Sequence, residues 1–294
     1  MNLDNCPVCN SNNIKTHLNE FYGYKLIKCD DCQVVFSDPF KAPSMDFYAE
    51  ASDIASADRH TKLNPWHSVH PTRQSEYLKN GDGKELLDMG CGNGSFIEFA
   101  SQNGFNVTGI DLDYNSLKVA ERRSFKGKMN VYRAHLVEFH KNNPEAKFDV
   151  ITAFEVVEHL DNTKEVLELI HSMLKPGGLF IGSLPNMERK YFVTVNMVYE
   201  RPPYHLTYWT TKTWKFAVEK NFNFKCLLAE NTVFYGYLSY IAKHKTLEKY
   251  NWNTNKGLGS FFVRSLFTVT GKIETAIQKM ISDSASFYFV LRKN

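Results

Sequence analysis

The chain has 294 residues, 23% of them charged and 43% hydrophobic, with 35 Lys and Arg against 32 Asp and Glu for a formal net charge of +3. These proportions exclude extensive disorder and fall far short of the strongly basic balance of a nucleic-acid-binding domain. The longest uncharged apolar-leaning run, Asn231 to Ala242, is too short to span a bilayer, and no basic segment followed by an apolar one opens the chain. The expectation is a soluble cytoplasmic protein with no membrane span, whose six cysteines are metal ligands or free thiols rather than disulfides.

Residues 1 to about 40 hold four of the cysteines, as Cys6-Pro-Val-Cys9 and Cys29-Asp-Asp-Cys32. Each pair presents two thiolates on one tight turn, and two such turns complete a tetrahedral four-sulfur site. With every position filled by protein the metal is structural; zinc is expected, with iron its competitor. The ribbon's lysines (Lys15, Lys25, Lys28) are few and Asp30, Asp31 and Asp38 sit beside them, so a structural or substrate-capping role fits better than nucleic-acid contact. Residues 41–80 contain Pro43, Pro65 and Pro71, which break any long helix, and are expected to link the ribbon onward and cover a cofactor site.

Residues 81–294 are expected to form the main domain, which from Glu85 to about Pro185 carries the strand–helix alternation of a parallel α/β sheet. Strands are expected over Lys84–Met89, Asn106–Ile110, Lys147–Ala153 and Leu179–Ser183, with a helix over Ser95–Asn103. Val166, Leu169, Ile170, Met173 and Leu174 fall on one helical face, and Lys175-Pro-Gly-Gly should stop that helix. After Pro185 come an aromatic-rich loop and a helix, then strands at Phe222–Phe234 and Ser286–Leu291. Between them, 236–283 has a helical pattern.

The turn Asp88-Met-Gly90-Cys91-Gly92-Asn-Gly94 follows a strand and opens a helix, where glycines permit a sharp reversal and close approach of a ligand. A dinucleotide site would place a third glycine at position 95, which is Ser95. Asp88, just before the first glycine, would repel a pyrophosphate and suit a ligand bearing an ammonium and a sulfonium. Asp111 ends the next strand, where a carboxylate accepts from both ribose hydroxyls; a helix N-cap is its alternative role.

The runs Leu86-Leu-Asp88-Met-Gly90-Cys-Gly92-Asn-Gly94, Gly109-Ile-Asp111, Phe148-Asp-Val-Ile-Thr-Ala-Phe-Glu155 and Leu174-Lys-Pro-Gly-Gly178 resemble class I S-adenosylmethionine-dependent methyltransferases over residues 80 to 235 and the final strand. The cysteine ribbon and Arg201-Pro-Pro-Tyr-His205-Leu-Thr-Tyr-Trp209 are similar to a bacterial branch concerned with sugars, glycans and secondary metabolites. The resemblance implies a Rossmann-like α/β fold with a seven-stranded sheet whose last strands form an antiparallel reversal. It makes 236–283 an insertion serving as lid or homodimer surface. It implies a cofactor site of Asp88, Gly90, Cys91, Gly92, Gly94, Asp111, Leu112, Leu136 and Phe154. His135 stands where the family usually places the acid that receives the adenine amino group.

Methyl transfer asks a protein to orient the acceptor and remove its proton. Glu155-Val-Val-Glu158-His159 resembles the E-x-x-E-H of ubiquinone-pathway O-methyltransferases; carboxylates at i and i+3 are expected on one helical face with His159 beside them, so that they could share a divalent cation such as magnesium. Capping and packing is the alternative role for Glu158 and His159. His159 and His205 are the base candidates, and Tyr204, Tyr208, Trp209 and Trp214 could wall a sugar site or pack as core. The expected activity is O-methylation of a small-molecule or glycan acceptor. Against it stand an RNA methyltransferase using the ribbon for recognition, and a non-catalytic cofactor-binding scaffold.

Overall fold

The computed structural model describes residues 4–21, 23–43, 75–123, 125–188, 201–232 and 286–294. Most of the expected 41–80 linker, with Pro65 and Pro71, and the whole helical stretch 236–283 lie outside the described residues.

The ribbon consists of β1 (Ile14–Phe21), β2 (Tyr24–Cys29) and β3 (Val35–Asp38), paired antiparallel in that order. The main layer follows as β4 (Glu85–Met89), α1 (Ser95–Gln102), β5 (Asn106–Asp111), α2 (Tyr114–Ala120), β6 (Met129–Arg133), α3 (Leu136–Asn142), β7 (Phe148–Phe154), α4 (Thr163–Met173) and β8 (Leu174–Pro185). The chain ends with β9 (Thr207–Tyr208), α5 (Thr211–Asn221), β10 (Phe224–Asn231) and β11 (Ser286–Lys293). One sheet has seven strands in the order β10-β11-β8-β7-β4-β5-β6. β4 to β8 run parallel, and β11 lies antiparallel between β8 and β10. This is the expected methyltransferase sheet with its terminal reversal.

Central strands read as near-continuous apolar runs because helices cover both sheet faces. In β7, for example, every residue but Asp149 is buried. In α4 the buried residues are Thr163, Val166, Leu167, Ile170 and Met173; Leu167 joins the expected face, and Leu169 packs against it partly buried. Leu174 is not helical. It pairs with Phe148 as the first residue of β8, and Lys175-Pro-Gly-Gly forms a bulge before Leu179 pairs with Val150. Gly177 takes φ +72° there, so the residues that stop the helix also bend the start of the next strand.

A second sheet, β1-β2-β3-β9, was not foreseen. Its fourth strand comes from far along the chain: Val35 pairs with Tyr208 and Phe36 with Thr207. Val8, Cys29, Cys32, Val34 and Phe36 therefore share one apolar core with Phe180, Leu184, Trp209 and Trp214. Trp209 and Trp214 meet edge-to-face at 5.0 Å and 85°, and Trp214 packs 4.7 Å from Phe289. At 0–1% exposure these two indoles are core and cannot wall a sugar site.

Gly182 sits where β7, β8 and β11 press together: an added Cβ would lie 2.1 Å from the Ala153 carbonyl oxygen and 2.7 Å from the Phe289 ring. Gly182→Ala should destabilise the protein by about 1–3 kcal/mol through overpacking. Urea unfolding monitored by tryptophan fluorescence checks this; an unchanged midpoint would show that the sheet yields at that point.

Candidate active site

Three glycines shape the turn after β4. Gly90 (φ +70°), Gly92 (φ +52°) and Gly94 (φ +77°) all occupy the left-handed region that side chains resist. At Gly90 a Cβ would lie 2.7 Å from Val156 Cγ2, and at Gly94 one would lie 2.7 Å from the Ala120 Cβ. The turn is tied to β5 by the Gly90 and Cys91 amides, which both donate to the Ile110 carbonyl at 2.9 and 3.1 Å. Arg123, absent from the sequence-derived set, braces it from beneath. Its Nε donates to the Asn93 carbonyl at 2.5 Å and its Nη1 to Glu98 Oε2 at 2.7 Å, in a buried pair.

Asp111 does not cap a helix. The cap of α2 is Asp113, whose side chain accepts from the Asn115 and Ser116 amides. Asp111 instead accepts from the Gly92 amide at 2.7 Å through Oδ2 and from the Asp113 amide at 2.8 Å through Oδ1. A carboxylate is thus fixed beside the glycine turn at the end of β5. Asp88, 3% exposed, accepts from the Thr152 hydroxyl at 2.6 Å. Burial, with Asp88 and Asp111 nearby, pushes the Cys91 thiol well above its ordinary value, so Cys91 is a packing residue rather than a nucleophile. Phe154 is buried edge-on against Phe96 at 4.9 Å. Leu112 is half-buried, Leu136 buried, and His135 exposed at the start of α3.

The second cluster forms where β7 ends. Glu155 takes φ +57°, and a single 3-10 turn covers Val157–His159. The two carboxylates therefore do not share a helical face. Glu155 Oε2 accepts from the Ser286 hydroxyl at 3.4 Å. Glu158 is 1% exposed, and neither of its carboxylate oxygens has a hydrogen-bond partner among the described residues. His205 joins Glu158 and His159, with one ligand atom of each within 4.8 Å of the others. The two imidazoles meet edge-to-face at 4.8 Å. His159 Nδ1 lies 2.7 Å from the Tyr204 carbonyl oxygen, which can only accept, so Nδ1 carries the hydrogen. That leaves the lone pair on Nε2, 3.8 Å from Glu158 Oε1. Burial lowers the His159 pKa; burial, then the Glu155 charge, raises that of Glu158. Both shifts favour neutral forms.

His205 reaches this place through its neighbour. The Leu206 amide donates to the Glu158 carbonyl at 2.7 Å, and the Leu206 carbonyl accepts from the Ser37 amide of β3 at 2.9 Å. Tyr208, buried, donates its hydroxyl to the His205 carbonyl at 3.1 Å.

Residues 36–229 match a family described as a methyltransferase domain. The chain belongs to this family. The methyltransferase is 34% identical over 139 residues to a ubiquinone biosynthesis O-methyltransferase of Pseudomonas fluorescens (strain Pf0-1), covering 46% of this chain and 60% of that protein. It is 34% identical over 148 residues to the protein of the same name from Idiomarina loihiensis, covering 48% and 61%. The matched stretch thus spans about three fifths of the length of these curated relatives. A SAM-dependent methyltransferase from Archaeoglobus fulgidus superposes with a TM-score of 0.53 at 19% identity, over 85% of this chain and all of that one. Another from Mesorhizobium loti gives 0.51 at 17%, over 76% and 96%. Family and fold agree: the chain is a methyltransferase-domain protein that shares the fold of these S-adenosylmethionine-dependent enzymes.

In the methyltransferase's ribbon the four cysteine sulfurs lie within 4.8 Å of one another. Cys6 to Cys32 and Cys9 to Cys29 are both 3.6 Å, close to the edge of about 3.8 Å that a tetrahedron with zinc–sulfur bonds of about 2.3 Å requires. The residue after each second cysteine, Asn10 or Gln33, is left-handed at φ 62° and 64°, closing two matching turns. The hydrogen bond with Cys32 lowers the Cys6 thiol to about 6, while burial lifts Cys9 to about 11. The Cys6 hydrogen bond and burial also push the Cys32 thiol up. Four sulfurs held this close form a donor set that fits zinc. No helix among the described residues is long and apolar enough to cross a membrane.

The raised Glu158 pKa has a sign that can be checked. The folded protein holds that proton above the unfolded value, so stability falls as pH rises from the ordinary carboxylate range toward the folded pKa. Glu158→Gln should gain melting temperature over the parent at pH 8 and lose that advantage at pH 5. Parallel melting curves for the two proteins across this range would refute the assignment.

Proposed function

We propose that the methyltransferase methylates a hydroxyl of a small-molecule or glycan acceptor in a cytoplasmic biosynthetic reaction, with His159 and His205 handling the acceptor proton. The glycine turn and Asp111 would hold the nucleoside, with Asp111 on the ribose hydroxyls, Asp88 toward the amino-acid end, and Leu112, His135, Leu136 and Phe154 around the base. S-adenosylmethionine supplies an activated methyl on a sulfonium, leaving the protein to orient the acceptor and accept a proton. The observation carrying this reading is the His159 ring, held by the Tyr204 carbonyl so that Nε2 keeps its lone pair and, with its pKa lowered by burial, stays ready to take a proton.

The likeness to ubiquinone biosynthesis O-methyltransferases supports oxygen as the acceptor atom. A second reading rests on the buried, unpartnered Glu158 carboxylate. Together with His159 and His205, and with Glu155 nearby, it would take a divalent cation such as magnesium that polarises the acceptor oxygen.

Calorimetry should detect S-adenosylmethionine binding and no NAD binding, and Asp111→Ala should weaken the former by about 1–3 kcal/mol. Equal affinity in the two proteins would remove Asp111 from the ribose. On an acceptor identified by labelling extract with radioactive cofactor, His159→Ala or His205→Ala should cut turnover by about 10²–10⁴-fold with cofactor affinity preserved. Loss of activity in chelator, restored by magnesium with the ribbon's zinc content unchanged, would favour the cation over a histidine base. Metal analysis should find about one zinc per chain in protein purified without chelator.

A further inference from the structure

We infer that the third ribbon strand positions the proton-handling cluster, so that metal in the cysteine site sets the geometry of His205 and of the Glu158–His159 turn. Calling that cluster catalytic rests on the proposed function; the physical coupling does not.

The connection is continuous. The Cys29 amide donates to the Val34 carbonyl at 3.0 Å and the Gln33 amide to the Cys29 carbonyl at 2.9 Å, so the second cysteine turn fixes where β3 starts. β3 is the ladder partner of β9 in the four-stranded sheet. Its Ser37 amide holds the Leu206 carbonyl, and the Leu206 amide holds the Glu158 carbonyl. His205 is therefore adjacent to a residue whose two backbone groups join the ribbon to the catalytic turn. The Ala42 amide, just beyond β3, donates to Asp161 Oδ2 at 3.1 Å, tying the same edge to the segment after His159. On its other side the 205–209 segment is held by a bridge between Asn186 and Trp209. It is thus clamped between the ribbon and β8. The hydrogen bonds that shape the cofactor side run instead from the glycine turn to Ile110, Asp111 and Arg123. None of these passes through the ribbon, so ribbon and cofactor site should respond independently.

The test compares the full-length parent with Cys29→Ser, which removes a metal ligand, and Ser37→Pro, which keeps all four cysteines but deletes the amide that holds Leu206. Amide hydrogen exchange read by mass spectrometry should show peptides containing Leu206 and His159 exchanging at least about tenfold faster in both variants, with peptides of β4 and β5 unchanged. S-adenosylmethionine affinity should stay within about twofold of the parent, and Ser37→Pro should retain its zinc. In ¹⁵N-histidine spectra, the Nδ1–H tautomer that the Tyr204 carbonyl imposes on His159 should give way to averaged signals, a change that mere loss of global stability would not produce. Should Cys29→Ser fail to fold, Ser37→Pro answers alone. Native protection at Leu206 and an intact His159 tautomer in Ser37→Pro would overturn the proposal, as would equal loosening of β4 and β5. If the parent itself failed to bind S-adenosylmethionine, the methyltransferase reading would fall while the exchange data still decided the coupling.

Discussion

Leu206 spends its backbone amide on the Glu158 carbonyl and its backbone carbonyl on the Ser37 amide, and much of the candidate active site hangs on that pair of hydrogen bonds. Buried backbone groups must find partners, and here the partners belong to segments far apart in the chain. The arrangement brings His205 against His159 and seals Glu158 away from water. It also commits the cysteine ribbon to the main body: β3 cannot pair with β9 without carrying the metal turns along. The ribbon is therefore packed into the enzyme, with one apolar core running from Cys29 to Trp214.

The glycine turn after β4, the proposed cofactor side, is built by a different means. There the positions that matter are backbone, shaped by three left-handed glycines and held by Ile110, while Arg123 fills the space under the turn. Side chains enter chiefly as Asp88 and Asp111, each fixed by a hydrogen bond to a neighbouring strand or turn. A backbone-built cradle tolerates wide variation around it. A side-chain cluster such as Glu158–His159–His205 depends on every element that delivers a member.

That difference decides what could be read without coordinates. Gly90, Gly92 and Gly94 are legible because only glycine accepts those dihedrals readily, and Asp111 because it ends the strand that follows the glycine turn and its helix. The paired Cys-x-x-Cys turns are legible for the same local reason. His205 was visible as a base candidate, but its meeting with Glu158 depends on a two-residue strand, Thr207–Tyr208, too short to leave any periodic signal. Carboxylates at positions 155 and 158 suggested one helical face; the positive φ of Glu155 breaks that geometry, and no residue type announces it. Leu174 misled because its helical spacing is real, yet the Pro-Gly-Gly that follows bends into a strand rather than a loop. Trp209 and Trp214 could line a site or fill a core, and only the convergence of β8, β11 and α5 on them decides for the core.

One further property follows from how the last strand enters the sheet. The Thr232 amide and hydroxyl both bind the Ser286 carbonyl, at 2.9 and 2.8 Å, so the chain leaves β10 and returns to β11 through touching residues. Strand pairing has already closed that gap. The entropy of joining the two ends grows only logarithmically with the length of chain between them. By loop entropy alone, the length of the span from 233 to 285 therefore bears little on the sheet. The β10–β11 pair is a graft point, where new surface can be acquired while the ends of β4, β5 and β7 stay as they are.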